Sequence, residues 1–253
     1  MIAYAGYLAR KDGKVASVSV LTSRRAIVGI AVVGLLGLVP ASSASAGTSL
    51  YWNARGAIAK HPLLNPVPDG RGNPGVWSWM YGSPNAPSTY ALDTFKAVTC
   101  GSTHVPFWLD KNVNPFVAYN PGKTVAGTCG GGLWPRHTIM VSPGCTCYGT
   151  GGLDSIIRWT SPITGTVSVA GMVQGANTNE LGITWELDQG TTILSGPNPE
   201  SHDKVATIGP MSVSVTTGQS LYVEIGNGGN EGVDDDAVLG LNITEQSATA
   251  LLP

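Results

Sequence analysis

The sequence predicts an all-β protein: a single antiparallel β-sandwich of jelly-roll type behind a cleaved N-terminal signal segment. Three observations predict it. In the C-terminal half, apolar residues recur at every second position in short runs, the period of a strand with one buried face. Glycine, at 34 of 253 residues, is frequent between those runs, where turns need it. Past residue 46, no stretch carries the apolar stripe of an amphipathic helix of ordinary length.

Residues 1–46 read as a targeting segment. Arg24 and Arg25 precede an apolar run from Ala26 to Val39, Pro40 follows, and small residues lead to Ala44-Ser45-Ala46. Cleavage is expected before Gly47. The run is short for a membrane span, and no span is expected in the mature chain. The arginine pair fits Sec or twin-arginine export equally. The long lead Met1–Val20 suits neither and points to a true start near Val20 or Leu21. The expected destination is extracellular. Cleavage removes five of the 14 basic residues and one of the 16 acidic ones, which leaves a net charge of −6. Without clustered Lys and Arg, nucleic acid and anionic membrane are excluded as partners.

Residues 47–74, rich in Pro, Gly and Asn, read as an irregular arm; 75–246 form the sandwich and 247–253 a tail. Gly75–Tyr81 is the first strand signal, with Trp77, Trp79 and Tyr81 on one face. Ser88–Val98, Thr103–Leu109, Pro115–Tyr119 and His137–Val141 follow as short strands. The stretch Ser155–Val173 reads as strand, turn, strand: Ile157 and Trp159 face one way, then Val167, Val169 and Val173, around a reversal at Ser161-Pro-Ile-Thr-Gly165. Leu181, Ile183, Trp185 and Leu187 share a face before a hairpin turn at Asp188–Gly190. Met211–Thr216 turns at Thr217-Gly218 into Leu221, Val223 and Ile225; Leu239, Leu241 and Ile243 close the sheet. Regularly spaced short strands make a sandwich or barrel.

The cysteines are Cys100, Cys129, Cys145 and Cys147. In an oxidising compartment they allow three pairings. Cys145 and Cys147 are too close in sequence for an easy internal bridge. A Cys100–Cys129 disulfide is therefore expected, with the other two left open. A metal site from Cys145, Cys147 and His137 is the sharper alternative, although zinc sites normally show two separated ligand pairs.

The order Asn73-Pro-Gly-Val-Trp-Ser78, Asn114-Pro-Phe-Val117, Ser142-Pro-Gly144 and Ile157-Arg-Trp-Thr-Ser-Pro-Ile-Thr-Gly165 resembles a type of bacterial secreted jelly-roll domain similar to carbohydrate-binding modules. The likeness covers about residues 74–245. Ser142 stands where those domains carry His, and the cysteine loop 145–147 is an addition. The resemblance implies the sandwich fold and, less directly, carbohydrate recognition, since sandwiches host many functions.

Exposed aromatics are the usual platform for sugar rings, whereas buried ones are core. Trp159 and Trp185 keep register with aliphatic core positions, and Trp77 and Trp79 read as core too. Trp108 and Trp134 lie next to loops and, with Tyr148, are the expected ligand platform. The segment Asn227-Gly-Gly-Asn230-Glu-Gly-Val-Asp234-Asp-Asp236 is the densest oxygen cluster. Asn227, Asn230, Asp234 and Asp236 are the expected ligands of a structural calcium ion, against the plainer reading of a hydrated acidic turn. No Gly-x-Ser-x-Gly, His-Glu-x-x-His or Gly-Lys-Ser/Thr pattern occurs. Glycoside cleavage needs only two converging carboxyls, for which Asp110, Glu186 and Asp154 are candidates. The leading expectation is a secreted, non-catalytic module that recognises extracellular polysaccharide or cell-surface glycan. A structural or assembly module of the envelope or matrix comes second, and a glycan-active hydrolase or lyase third.

Overall fold

A computed structural model describes residues 49–100, 103–110, 114–122, 125–126, 133–176, 182–201, 204–228 and 236–246. In chain order its elements are β1 (Tyr51–Asn53), α1 (Ala54–Lys60), β2 (Trp77–Gly82), β3 (Ala91–Leu92), β4 (Thr94–Cys100), β5 (Thr103–Leu109), β6 (Phe116–Tyr119), β7 (Val125–Ala126), β8 (Leu133–Trp134) and β9 (Ile139–Ser142). There follow β10 (Asp154–Thr160), β11 (Gly165–Gly175), β12 (Ile183–Gln189), β13 (Thr192–Glu200), β14 (Val205–Val215), β15 (Ser220–Asn227) and β16 (Ala237–Gln246). Among the described residues no helix is long and apolar enough to cross a membrane.

The strands form a β-sandwich. One sheet has eight strands, ordered β14-β11-β16-β9-β6-β5-β4, with β1 also paired to β16; the other has six, ordered β13-β12-β15-β10-β2-β3. Their strand pairs are antiparallel. Alternation decides which side chains meet between the sheets. Ile157, Trp159, Ile183, Trp185, Leu187, Leu221, Val223 and Ile225 come from the six-stranded sheet. Val117, Ile139, Val167, Val169, Val173, Leu239, Leu241 and Ile243 come from the eight-stranded one. All belong to one buried core, as the period-two reading expects. The buried Ser155 hydroxyl ties the layers together, lying 3.0 Å from the Phe116 carbonyl and 2.5 Å from that of Ser142.

Three expectations need correction. The reversal at Ser161–Gly165 is not a hairpin, because β10 pairs with β2 and β15 while β11 pairs with β14 and β16. The turn carries the chain from one sheet to the other, so its apolar faces oppose across the core. Thr217-Gly218 makes the same kind of crossing between β14 and β15. Gly218 N–H donates to the Ser161 carbonyl at 2.7 Å, which joins the two crossings.

The arm is ordered at its start. β1 pairs with β16 in the register Trp52↔Ile243, and α1 follows, capped by Asn53 Oδ1 accepting from Gly56 N–H at 2.6 Å. Ala54 and Ile58, four apart, are its buried face. Trp52 packs edge-on against Trp159 at 5.3 Å. Its indole N–H donates to Asp69 Oδ2 at 3.1 Å, and Asn73 Nδ2 donates to the same oxygen at 2.8 Å. Pro and Gly crowd residues 62–75, and that composition masked the strand before them.

The third correction concerns Trp134. A second apolar cluster lies on the other face of the eight-stranded sheet, containing Val105, Phe107, Phe116, Ala118, Met140 and Val238. Trp134, from the small β7–β8 sheet, belongs to it.

Candidate functional site

Both expected tryptophan platforms are core. Trp108 is 0% exposed, with Trp79 at 6.2 Å and Phe95 at 5.8 Å. Trp134 is 0% exposed, edge-on to Phe107 at 5.9 Å, and its indole N–H donates to the Thr138 carbonyl at 3.4 Å. Neither indole offers a face to a ligand. Tyr148 ends a short turn, Thr146–Tyr148, and its side chain lies outside the described residues.

Cys129 also lies outside them, so nothing is described of the expected Cys100–Cys129 pairing. The expectation that Cys145 and Cys147 are too close to bridge is overturned: they are joined to each other, with Cα atoms 5.2 Å apart. Thr146–Cys147 curl into a tight turn that brings the sulfurs together. This removes the thiolates that a Cys145–Cys147–His137 metal site needs. Of the expected calcium ligands, Asn230 and Asp234 lie outside the described residues. Asn227 Nδ2 donates to the Gly144 carbonyl at 3.1 Å, and Asp236 is buried just ahead of β16.

Among the described residues, two of the concave features lie on the outer faces of the two sheets. The first is a cleft of about 260 Å³ on the outer face of the six-stranded sheet, lined by Asn85, Asp154, Thr184, Glu186, Glu224 and Asn227 among others. Alternation builds it: on β10, β12 and β15 the residues between the core positions point outward, and Glu186 lies directly opposite Glu224. Gly226 leaves the room. A Cβ there would lie 2.8 Å from Asp154 Oδ1 and 2.9 Å from Thr184 Oγ1.

The loop after β2 covers the acids. Asn85, in the left-handed region at φ 54°, donates its backbone N–H to Glu224 Oε2 at 3.0 Å. Tyr90 lies over Gly82, where a Cβ would clash with its ring, and its hydroxyl donates to Glu224 Oε1. The result is a buried carboxylate cluster. Glu186, Asp188 and Glu224 each bring an oxygen within 4.8 Å of the other two.

The charges in this cluster oppose one another. Burial, then the charges of Glu224 and Glu186, pushes Asp154 up to about 7. Burial, then Glu186 and Glu224, pushes Asp188 up to about 8. Glu186 is raised by burial and Glu224, partly offset by a hydrogen bond with Asn85. Burial and the neighbouring Glu224 raise the Tyr90 phenol. Asp69 is the contrast. Burial raises it too, but donors from Asn73, Arg71 and Trp52 outweigh that and hold it below the usual carboxylate range.

The second feature is a groove of about 560 Å³ on the outer face of the eight-stranded sheet. It is lined by Met172, Gln174, Gly240 and Asn242 from β11 and β16, by Tyr51, Asn53 and Arg55 from β1 and α1, and by Pro135 and Thr138 ahead of β9. Gly240 contributes no side chain to it. Tyr51 is 53% exposed, and its hydroxyl donates to Asn242 Oδ1 at 2.6 Å. Asn53 Nδ2 donates to the same oxygen at 2.5 Å.

The structure thus brings together two of the three carboxylates proposed from sequence, Asp154 and Glu186. Asp110 lies elsewhere, near Asp93, whose carboxyl its own burial and then the Asp110 charge raise well above the ordinary value. Sequence reasoning missed Asp188 and Glu224, although Glu186/Asp188 and Tyr222/Glu224 are outward positions of alternating strands. It also missed Tyr51, Asn53 and Arg55, which sit in the stretch read as irregular.

No protein-family model matches the sequence, and no curated protein matches it. Among solved structures, an isomalto-dextranase of Arthrobacter globiformis T6 complexed with panose is similar over 68% of this chain and 23% of its own. The identity is 12% and the TM-score 0.28. This chain spans less than a quarter of that protein, and a likeness this slight says nothing about either concave feature.

Proposed function

We propose that the exported mature chain is a non-catalytic module that binds extracellular polysaccharide or cell-surface glycan in the groove between Tyr51 and Thr138. One observation carries the reading. An exposed aromatic ring lines a wide groove whose other polar side chains are the amides of Asn53, Gln174 and Asn242, the Arg55 guanidinium and the Thr138 hydroxyl. A sugar presents C–H faces that pack on an aromatic ring, and hydroxyls that both donate and accept. Amides do the same from a fixed plane, and a guanidinium donates in a fork. Asn242 holds Tyr51 and Asn53 in place before any ligand arrives, which lowers the ordering cost of binding. The leader-like first 46 residues support export, as does a Cys145–Cys147 bridge of the kind that persists outside reducing compartments.

The test is a glycan array and an insoluble-polysaccharide pull-down with the wild type, Tyr51→Ala and Asn242→Ala. Retention of at least one polysaccharide, reduced in both variants, is the expected result. Wild-type retention that both variants keep would sink the groove as the site. Folded protein that binds nothing would favour a structural or assembly module instead.

A hydrolase or lyase is the second reading, because Asp154 and Glu186 converge in the acid cleft. Polysaccharide turnover by the wild type that Asp154→Asn abolishes would establish it. Absence of turnover leaves the binding reading.

A further inference from the structure

We propose that Glu186, Asp188 and Glu224 form a divalent-cation site of the calcium type on the outer face of the six-stranded sheet. The site stands apart from the glycan reading, which rests on the opposite sheet.

Ca²⁺ holds its oxygen ligands at about 2.4 Å, so two oxygens on opposite sides of one ion lie about 4.8 Å apart. One oxygen from each of the three carboxylates falls within 4.8 Å of the others, so all three can touch a single ion. The set contains no nitrogen or sulfur, which selects a hard cation over zinc or copper.

A second observation separates this cluster from an ordinary acidic patch. Asp188 is 1% exposed, and neither of its carboxylate oxygens has a hydrogen-bond partner. Glu186 is 5% exposed, and its Oε2 has none. A buried carboxylate without a donor is costly, and Asp188 is one, set among other carboxylates. Glu224 is the anchored member, with Tyr90 and the Asn85 N–H donating to its two oxygens. The β2–β3 loop would therefore hold one ligand firmly while Asp188 and Glu186 present unshared lone pairs. The charged groups acting on Asp188 and Glu186 are other carboxylates, and a divalent cation would supply the counter-charge that the cluster itself lacks.

The cluster sits on two rungs of the β12–β15 ladder, two residues apart on the same face. Glu186 is opposite Glu224, Asp188 is two residues further along the same face of β12, and Tyr222 lies opposite Asp188. An ion there would bind β12 to β15 across the outer face, where the side chains otherwise repel. The expected effect is stabilisation of the fold rather than chemistry.

The experiment is calorimetric titration of CaCl₂ into the purified chain after EDTA treatment and desalting, alongside thermal melts with and without the metal. One saturable Ca²⁺ site per chain and a higher melting temperature in Ca²⁺ are expected. Asp188→Asn keeps the shape and removes one charge. It should melt no lower than the stripped wild type, yet bind Ca²⁺ roughly tenfold more weakly or not at all, since affinity follows ligand charge. Glu186→Gln should behave alike and serves if the first variant misfolds. Two results would overturn the proposal. One is a folded wild type that gives neither heat nor a melting shift with Ca²⁺, Mg²⁺ or Mn²⁺. The other is a response kept in full by both variants, which would place the ion elsewhere.

Discussion

The two outer faces of the sandwich are built by the same rule and differ in how their polar groups are satisfied. On the eight-stranded sheet, Tyr51 and Asn53 donate to Asn242 beside an open groove, and every named group there is neutral or exposed. On the six-stranded sheet, Glu186, Asp188 and Glu224 are buried against one another beneath a loop. The first face is complete without a ligand and merely offers a surface. The second carries unresolved electrostatic repulsion that a cation or shared protons must relieve. Alternation places side chains on a face, but only the chemistry of neighbouring strands says whether that face is finished.

The largest effect separates platform from core on the groove's side. Trp134→Ala empties the centre of the satellite cluster with Phe107 and Met140, and should cost about 3–5 kcal/mol by denaturant unfolding. A variant with unchanged stability that loses only polysaccharide binding would restore Trp134 as a ligand residue and break the comparison.

The next acts on the acid face. Gly226→Ala pushes a methyl to 2.8 Å from Asp154 Oδ1 and should destabilise by about 1–3 kcal/mol, the usual cost of overpacking. It should blunt the Ca²⁺ response while leaving polysaccharide retention alone. A loss of retention would mean that the two faces are coupled.

An acid outside both features supplies a control. Asp93, at the crossing from β3 to β4, is 4% exposed and neither of its oxygens has a hydrogen-bond partner. Burial and Asp110 raise its folded-state pKa, so the folded protein binds the proton more tightly than the unfolded chain. The stability this contributes is present in acid and is lost as the pH rises above the ordinary carboxylate range near ~4. In EDTA, wild-type stability should decline with rising pH more steeply than that of Asp93→Asn. The variant should gain about 1–3 kcal/mol at mildly alkaline pH, the usual range for relieving a buried polar group without a partner. Parallel pH profiles would show that Asp93 is paired in solution. The smallest effect is Tyr51→Ala, which should leave stability within about 0.5 kcal/mol because the ring is half exposed.

The core was legible in the sequence because it follows from alternation alone: Ile157, Val169, Val223 and Leu241 were assigned inward, and all are buried. Pairing was not legible. Ser161–Gly165 announces a reversal, yet turn chemistry does not record whether the next strand joins the same sheet or the facing one. Trp134 was misassigned for a related reason, since a residue beside a glycine-rich loop reads as exposed until a second strand pair is folded over the sheet. The acids were half legible. The sequence offers Asp154 and Glu186 as candidate carboxyls, but the register that sets Glu224 opposite Glu186 is a tertiary fact. An outward Asp or Glu on a strand reads as hydrated, and it takes a distant segment such as the Tyr90 loop over Glu224 to bury it.

With glycan proposed at the Tyr51 groove and a cation at the Glu186–Asp188–Glu224 cluster, the two faces should act separately. The most direct measurement puts the wild type, Tyr51→Ala and Asp188→Asn side by side through polysaccharide retention and Ca²⁺ titration on the same preparations. Tyr51→Ala should lose retention and keep the Ca²⁺ response; Asp188→Asn should do the reverse. If each variant instead loses neither property, or both lose both, the two-face account is contradicted.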